Sequence, residues 1–170
     1  TVVDALHHIR SLGDTSGNVS PTTDDGPCKE PPHDGNLVLV TLHRRENQGE
    51  KLEHILGAIK ELSQRAPDCI FILPVHPNPA VSGPVNRILG AQDNVRLVAP
   101  LQYPEFVQLM AQAQLILTDS GGIQEEAPSF GTPVLVMRDE TERPEAVAFG
   151  TARLVGSDRE KIVSLALVLL

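Results

Sequence analysis

A chain of 170 residues is long enough for one ordinary domain and short for two. Its 41% hydrophobic and 21% charged residues, with a mean hydropathy of -0.08, describe a globular chain, and no apolar run approaches the roughly 20 residues of a membrane-spanning helix. The 14 lysines and arginines stand against 22 aspartates and glutamates, a net charge of -8. There is no basic footprint to hold a nucleic-acid backbone, so neither a membrane nor nucleic acid is an expected partner.

Residues 1–12 place Val2, Val3, Leu6 and Ile9 at helical spacing, an apolar stripe that must pack against something. Residues 13–36 are rich in Gly, Pro, Asp, Ser and Thr and cannot bury enough apolar surface to offset their ordering entropy, which predicts a flexible linker. From residue 37 short β-branched and Leu-rich runs alternate with helical segments. The runs at 37–42, 70–73, 95–98, 115–118, 134–137 and 152–155 are mostly apolar, as strands buried on both faces must be. Between them Leu52, Ile55, Leu56, Ile59 and Leu62 keep helical spacing, as do Phe106, Val107, Met110 and Ala113. The pattern predicts an α/β fold with a mostly parallel sheet over residues 37–170. Both ends are abrupt, and the apolar run at 162–170 has no stop signal, so a longer natural chain is expected. Cys28 and Cys69 do not form a CxxC pair, which fits a reducing cytoplasm.

Ligands of open α/β sheets gather beyond the carboxyl ends of the strands. After the fourth run comes Thr118, Asp119, Ser120, Gly121, Gly122, Ile123, Gln124, Glu125, Glu126. The paired glycines let backbone approach a ligand, and the helix they open offers unpaired N–H groups to an anion such as a diphosphate. The Ser120 hydroxyl can add a hydrogen bond, and Glu126, about one turn on, suits a neutral diol such as ribose better than phosphate. A tight turn with a helix cap is the plainer alternative. The segment is neither GxGxxG nor a Walker loop, so NAD and ATP hydrolysis are poorly supported.

After the first run stand His43, Arg44, Arg45, Glu46 and Asn47, an imidazole and two guanidinium groups able to neutralise a pyrophosphate and assist a leaving group, or simply a solvated charged turn. After the second, Pro74 to Pro79 frame His76, which either lines the same cleft or closes its own loop through backbone. Tyr103 and Phe106 supply aromatic surface for a nucleobase in a chain with 3% aromatics, although spacing alone puts Phe106 in the core. Arg143, in a polar loop after the fifth run, suits a phosphate or sugar hydroxyl, or an exposed ion pair. No zinc pattern is present.

Taken together, His43-Arg44-Arg45-Glu46-Asn47, Pro74-Val75-His76-Pro77-Asn78, Thr118 to Pro128 and Thr141-Glu142-Arg143-Pro144-Glu145 resemble the non-hydrolysing UDP-N-acetylglucosamine 2-epimerases. The resemblance runs from about Leu37 to the end, with residues 1–6 similar to the segment leaving that family's N-terminal domain. It implies a Rossmann-like three-layer domain, the C-terminal half of a GT-B arrangement, with 1–12 an interdomain helix and 13–36 the linker. It further implies interconversion of UDP-GlcNAc and UDP-ManNAc through UDP elimination, a 2-acetamidoglucal intermediate and re-addition, with no cofactor, in a homodimer.

By motif position, Ser120, Gly121 and Gly122 would bind diphosphate, Glu126 ribose, Phe106 and the backbone near Leu101 uracil, and Arg143 the phosphate side. His43 would serve the reaction near the glycosidic oxygen, while Arg44 and His76 resemble positions touching a regulatory UDP-GlcNAc. The family's acidic residues that move the C2 proton belong to its N-terminal domain, to which no segment here corresponds, so this chain is expected to bind UDP without turnover. The alternatives are a GT-B glycosyltransferase domain for UDP-sugars and a non-catalytic nucleotide-sugar-binding module.

Overall fold

The structure, a computed structural model, describes residues 36–141 and 152–170. The expected interdomain helix, all but the last residue of the expected linker, and Arg143 lie outside the described residues. Among the described residues six strands, β1 (Leu37–Thr41), β2 (Ile70–Pro74), β3 (Val95–Val98), β4 (Leu115–Thr118), β5 (Val134–Val136) and β6 (Ala152–Leu154), alternate with five α-helices. These are α1 (Glu50–Arg65), α2 (Pro79–Leu89), α3 (Tyr103–Gln112), α4 (Gly121–Glu126) and α5 (Arg159–Leu169).

The strands form one sheet in the order β3-β2-β1-β4-β5-β6, and every pair is parallel. This is the Rossmann-like arrangement expected from the sequence: two runs of strands step outward from the centre, and the direction reverses between β1 and β4. The strands fall where the apolar runs put them, with end residues differing by one. Leu42, Met137 and Val155 still continue the ladders, through the Leu42–Val75 bridge and the Met137 and Val155 backbone N–H groups.

Burial explains why parallel strands read as unbroken apolar runs. All five residues of β1 are buried, and successive side chains point to opposite faces. Val38, Val40 and Leu42 pack under α1, α2 and α5, against Leu52, Ile55, Ile59, Val85, Leu89 and Ile162 among others. Leu37 and Leu39 join Ile72, Ile116 and Val136 on the other face beneath α3 and α4, with Val107, Met110 and Ile123. The result is three layers. Among the described residues no helix is long and apolar enough to cross a membrane.

Helix α2 buries Val81, Val85 and Leu89, an apolar stripe at four-residue spacing. It carries Pro84 in its interior, and its start is fixed locally: the Asn78 side chain accepts the Ala80 N–H at 3.0 Å, with Pro79 at the first position, where a missing N–H costs nothing.

Candidate functional site

The site forms where β1 and β4 run side by side and their outgoing chains part. The register sets Thr41 opposite Thr118, and their hydroxyls share a hydrogen bond of 2.6 Å. Just past this pair each chain delivers its chemistry: β1 leads through Leu42 to His43 and Arg44, and β4 leads to Asp119 and Ser120.

Asp119 is fully buried. A buried carboxylate needs donors, and here the β1 side provides them. The His43 backbone N–H reaches its two oxygens at 3.2 and 3.1 Å, the Arg44 N–H lies at 2.9 Å and the Asn47 amide at 3.2 Å. The His43 ring joins them, with Nδ1 3.1 Å from Asp119 Oδ1. Burial by itself pushes this carboxyl up, but the hydrogen bonds from the His43 ring and the Arg44 backbone, with the charge and backbone of His43, hold it below the usual carboxylate range.

Asn47 spans a third strand end, since its amide also donates to the Met137 carbonyl at 3.0 Å. Beside it Arg138 donates from Nε to Glu46 at 2.5 Å. The short 3-10 turn Arg45–Asn47 is thus clamped to both β4 and β5.

The β4 exit is built with equal care. The Ser120 N–H donates to the Thr118 hydroxyl at 2.9 Å, and Ser120 takes the N-cap position of α4 without a side-chain cap hydrogen bond. Its hydroxyl therefore does not have the plain capping role. The first N–H groups of a helix lack partners within it, which leaves the Gly121 and Gly122 amides without a partner inside α4. Arg44 lies alongside: a Cβ placed on Gly121 would stand 3.6 Å from Arg44 Nη2, and Arg44 Nε is buried with no hydrogen-bond partner. Gln124, fully buried, donates to the Ser120 carbonyl at 3.1 Å and accepts from the Thr141 hydroxyl at 2.6 Å. That bond ties α4 to the loop that leads toward Arg143.

At the far end of α4, half-buried Glu126 faces the Tyr103 hydroxyl at the start of α3. Burial raises the Glu126 carboxyl above its ordinary value; the hydrogen bond from Tyr103 works against the rise and the nearby Glu125 charge adds to it.

The structure therefore brings His43, Arg44, Ser120, Gly121 and Gly122 together, with Glu126 at the other end of the same short helix. His76 follows the adjacent strand β2, next to His43 in the ladder that ends with the Leu42–Val75 bridge. Its Nδ1 accepts the Asn78 N–H at 3.1 Å, the loop-closing role named above as an alternative. Phe106 is half-buried against the α3–α4 core, and Leu101 lies in the loop before α3. A crevice of ≈ 410 Å³ opens elsewhere, between His54, Arg138, Gly156 and Lys161, and none of the sequence-predicted site residues lines it. Asp119, Asn47 and Gln124 have no role in the sequence analysis, and Tyr103, offered there as a surface for a nucleobase, stands against Glu126. A charged residue at the end of the run Leu115–Thr118 was the available signal for Asp119.

The profile of the family "UDP-N-acetylglucosamine 2-epimerase" matches residues 1–170. The chain belongs to that family. It is 52% identical over 164 residues to the UDP-N-acetylglucosamine 2-epimerase of Escherichia coli K12, covering 96% of this chain and 43% of that protein. The structure of UDP-GlcNAc 2-epimerase from Neisseria meningitidis bound to UDP-GlcNAc superposes with a TM-score of 0.77 at 50% identity, over 78% of this chain and 36% of that one. The Methanocaldococcus jannaschii enzyme in complex with UDP-GlcNAc and UDP gives a TM-score of 0.70 at 35% identity, over 79% and 38% of the two chains. The chain thus spans less than half the length of these relatives.

Proposed function

We propose that this chain is the nucleotide-binding half of a GT-B enzyme that interconverts UDP-GlcNAc and UDP-ManNAc by eliminating UDP, holding a 2-acetamidoglucal, and adding UDP back. The observation that carries the reading is the meeting of His43, Arg44 and the Ser120-Gly121-Gly122 turn at the point where the sheet reverses direction. An anionic diphosphate is matched there by the amides that open α4, a free hydroxyl and a guanidinium. Ser120, Gly121 and Gly122 take the diphosphate, and Arg143 reaches its phosphate side. Glu126 accepts from the ribose hydroxyls, while Phe106 and the backbone at Leu101 take the uracil. His43 stands near the glycosidic oxygen, where an imidazole can give and recover a proton as the C–O bond breaks and re-forms. Arg44 and His76 are placed to touch a second, regulatory UDP-GlcNAc beside the substrate. The enzyme works as a cytoplasmic homodimer without a cofactor.

By the resemblance set out above, the acidic groups that move the C2 proton belong to the family's N-terminal domain, to which no segment of this sequence corresponds, so the chain alone binds UDP and does not turn over the sugar nucleotide. Calorimetric titration of the folded 170-residue chain with UDP tests the reading. Heat of binding is expected; no heat at millimolar UDP overturns it.

A further inference from the structure

Asp119 does more than stitch β1 to β4. We infer that Asp119 is a positioning residue that fixes the tautomer of His43, holding the proton on Nδ1 and presenting Nε2 to the ligand. The inference rests on the function proposed above only for what Nε2 meets.

The geometry runs through one carboxylate and four donor groups. An ionised carboxylate can only accept hydrogen bonds, so the ring atom 3.1 Å from Oδ1 has to carry the hydrogen. The backbone N–H groups of His43 and Arg44 and the Asn47 amide converge on the same carboxylate, which leaves it no freedom to turn away. The Asp119 side chain is 1% exposed and that of His43 42%. One edge of the ring is therefore anchored in the interior and the other opens to solvent. This also fixes the direction of any proton transfer: a doubly protonated ring releases the Nε2 proton to a ligand oxygen and stays behind as the neutral Nδ1–H form. It keeps its bond to Asp119 and need not rotate. A histidine without the carboxylate could adopt either tautomer and flip its ring.

A purely structural Asp119 would hold the loop and leave the ring indifferent, and the two roles separate experimentally. Long-range ¹H–¹⁵N correlation spectra of the 170-residue chain report the tautomer of each neutral histidine, and His43→Gln assigns the His43 signals. Nδ1-protonated His43 is expected in the unaltered chain, redistributing toward Nε2–H in Asp119→Asn. UDP affinity by calorimetry falls about tenfold in that variant, the upper size of one net hydrogen bond lost to the ligand. Asn47→Ala also weakens the junction but leaves the carboxylate–imidazole contact in place, so it lowers thermal stability with the tautomer unchanged.

His43 found as the Nε2–H tautomer in the unaltered chain overturns the inference, whatever becomes of the variants and even if Asp119→Asn fails to fold. An unchanged tautomer in a folded Asp119→Asn chain overturns it equally. If the unaltered chain has the expected tautomer but binds no UDP, the functional proposal fails and the positioning role stands.

Discussion

Two carboxyl groups mark the two ends of the segment that carries α4, and their surroundings push them in opposite directions. Asp119, just before the helix, is sealed in the interior yet held below its ordinary value, because its desolvation is outweighed by hydrogen bonds from the His43 ring and the Arg44 backbone. Glu126, at the last turn, is only half-buried yet raised, because burial and the Glu125 charge outweigh the single bond from Tyr103. The difference lies in the supply of hydrogen-bond donors. The first has all its acceptor capacity turned inward and no exposed edge. The second is under-supplied with donors, which is the condition for gaining from the hydroxyls of an arriving ligand.

The sharpest break in this contrast is Asp119→Ala. It leaves the His43 and Arg44 amides and the Asn47 side chain facing a cavity, and losing one partner from a buried charged network costs about 3–5 kcal/mol; urea unfolding reads this directly. The pH dependence has a definite sign. A carboxyl depressed in the folded state stabilises the fold at pH above its unfolded value, near 3.8, and that contribution is lost as pH falls through the lower folded value. Asp119→Asn should flatten this acid limb. A limb as steep as in the unaltered chain would mean that another group carries it.

Next in size is Gly121→Val, which tests whether the amide end of α4 is the ligand side. The first added carbon finds room 3.6 Å from Arg44 Nη2, but the branched methyls crowd the guanidinium and the line of approach to the amides. The fold should survive, with UDP affinity lowered about tenfold, or about 1.4 kcal/mol. Unimpaired binding would move the diphosphate away from this turn.

The same contrast explains what could be read from the sequence. The strands were legible because each is an apolar run stopped by a polar turn, as at Leu115–Thr118 followed by Asp119. The Ser120-Gly121-Gly122 turn and the His43-Arg44 pair were legible as residue types suited to a diphosphate. Their meeting was not, since it depends on the parallel register that pairs Thr41 with Thr118, a property of the sheet and not of either segment. Asp119 stood in plain sight within its motif, but its donors come from residues more than 70 positions earlier in the chain. Helix α2 keeps Val81, Val85 and Leu89 at four-residue spacing, but Gly83 and Pro84 between them read as a helix breaker. Conversely, the His76–Asn78 bond spans two residues, so this loop closure is legible in the local sequence.

The mildest effects belong to the Glu126 end. Because folding raises this carboxyl, its charge opposes folding as pH climbs past its unfolded value near 4.5, and the penalty vanishes below that pH. Glu126→Gln therefore gives a slightly more stable chain at neutral pH, seen as a higher melting temperature, together with a several-fold weaker affinity for UDP, the size of one ordinary net hydrogen bond. The loss should disappear when 2′-deoxy-UDP replaces UDP if the 2′ hydroxyl is the donor that Glu126 receives. Tyr103→Phe probes the same group from the other side. It removes the one donor opposing the rise, so the Glu126 carboxyl climbs further, and since Tyr103 is 43% exposed the stability change stays within about 0.5 kcal/mol. Its effect on UDP binding should be absent in the Glu126→Gln background. A Tyr103→Phe loss that persists there would give the phenol its own contact with the ligand and make the far end of α4 a two-residue site.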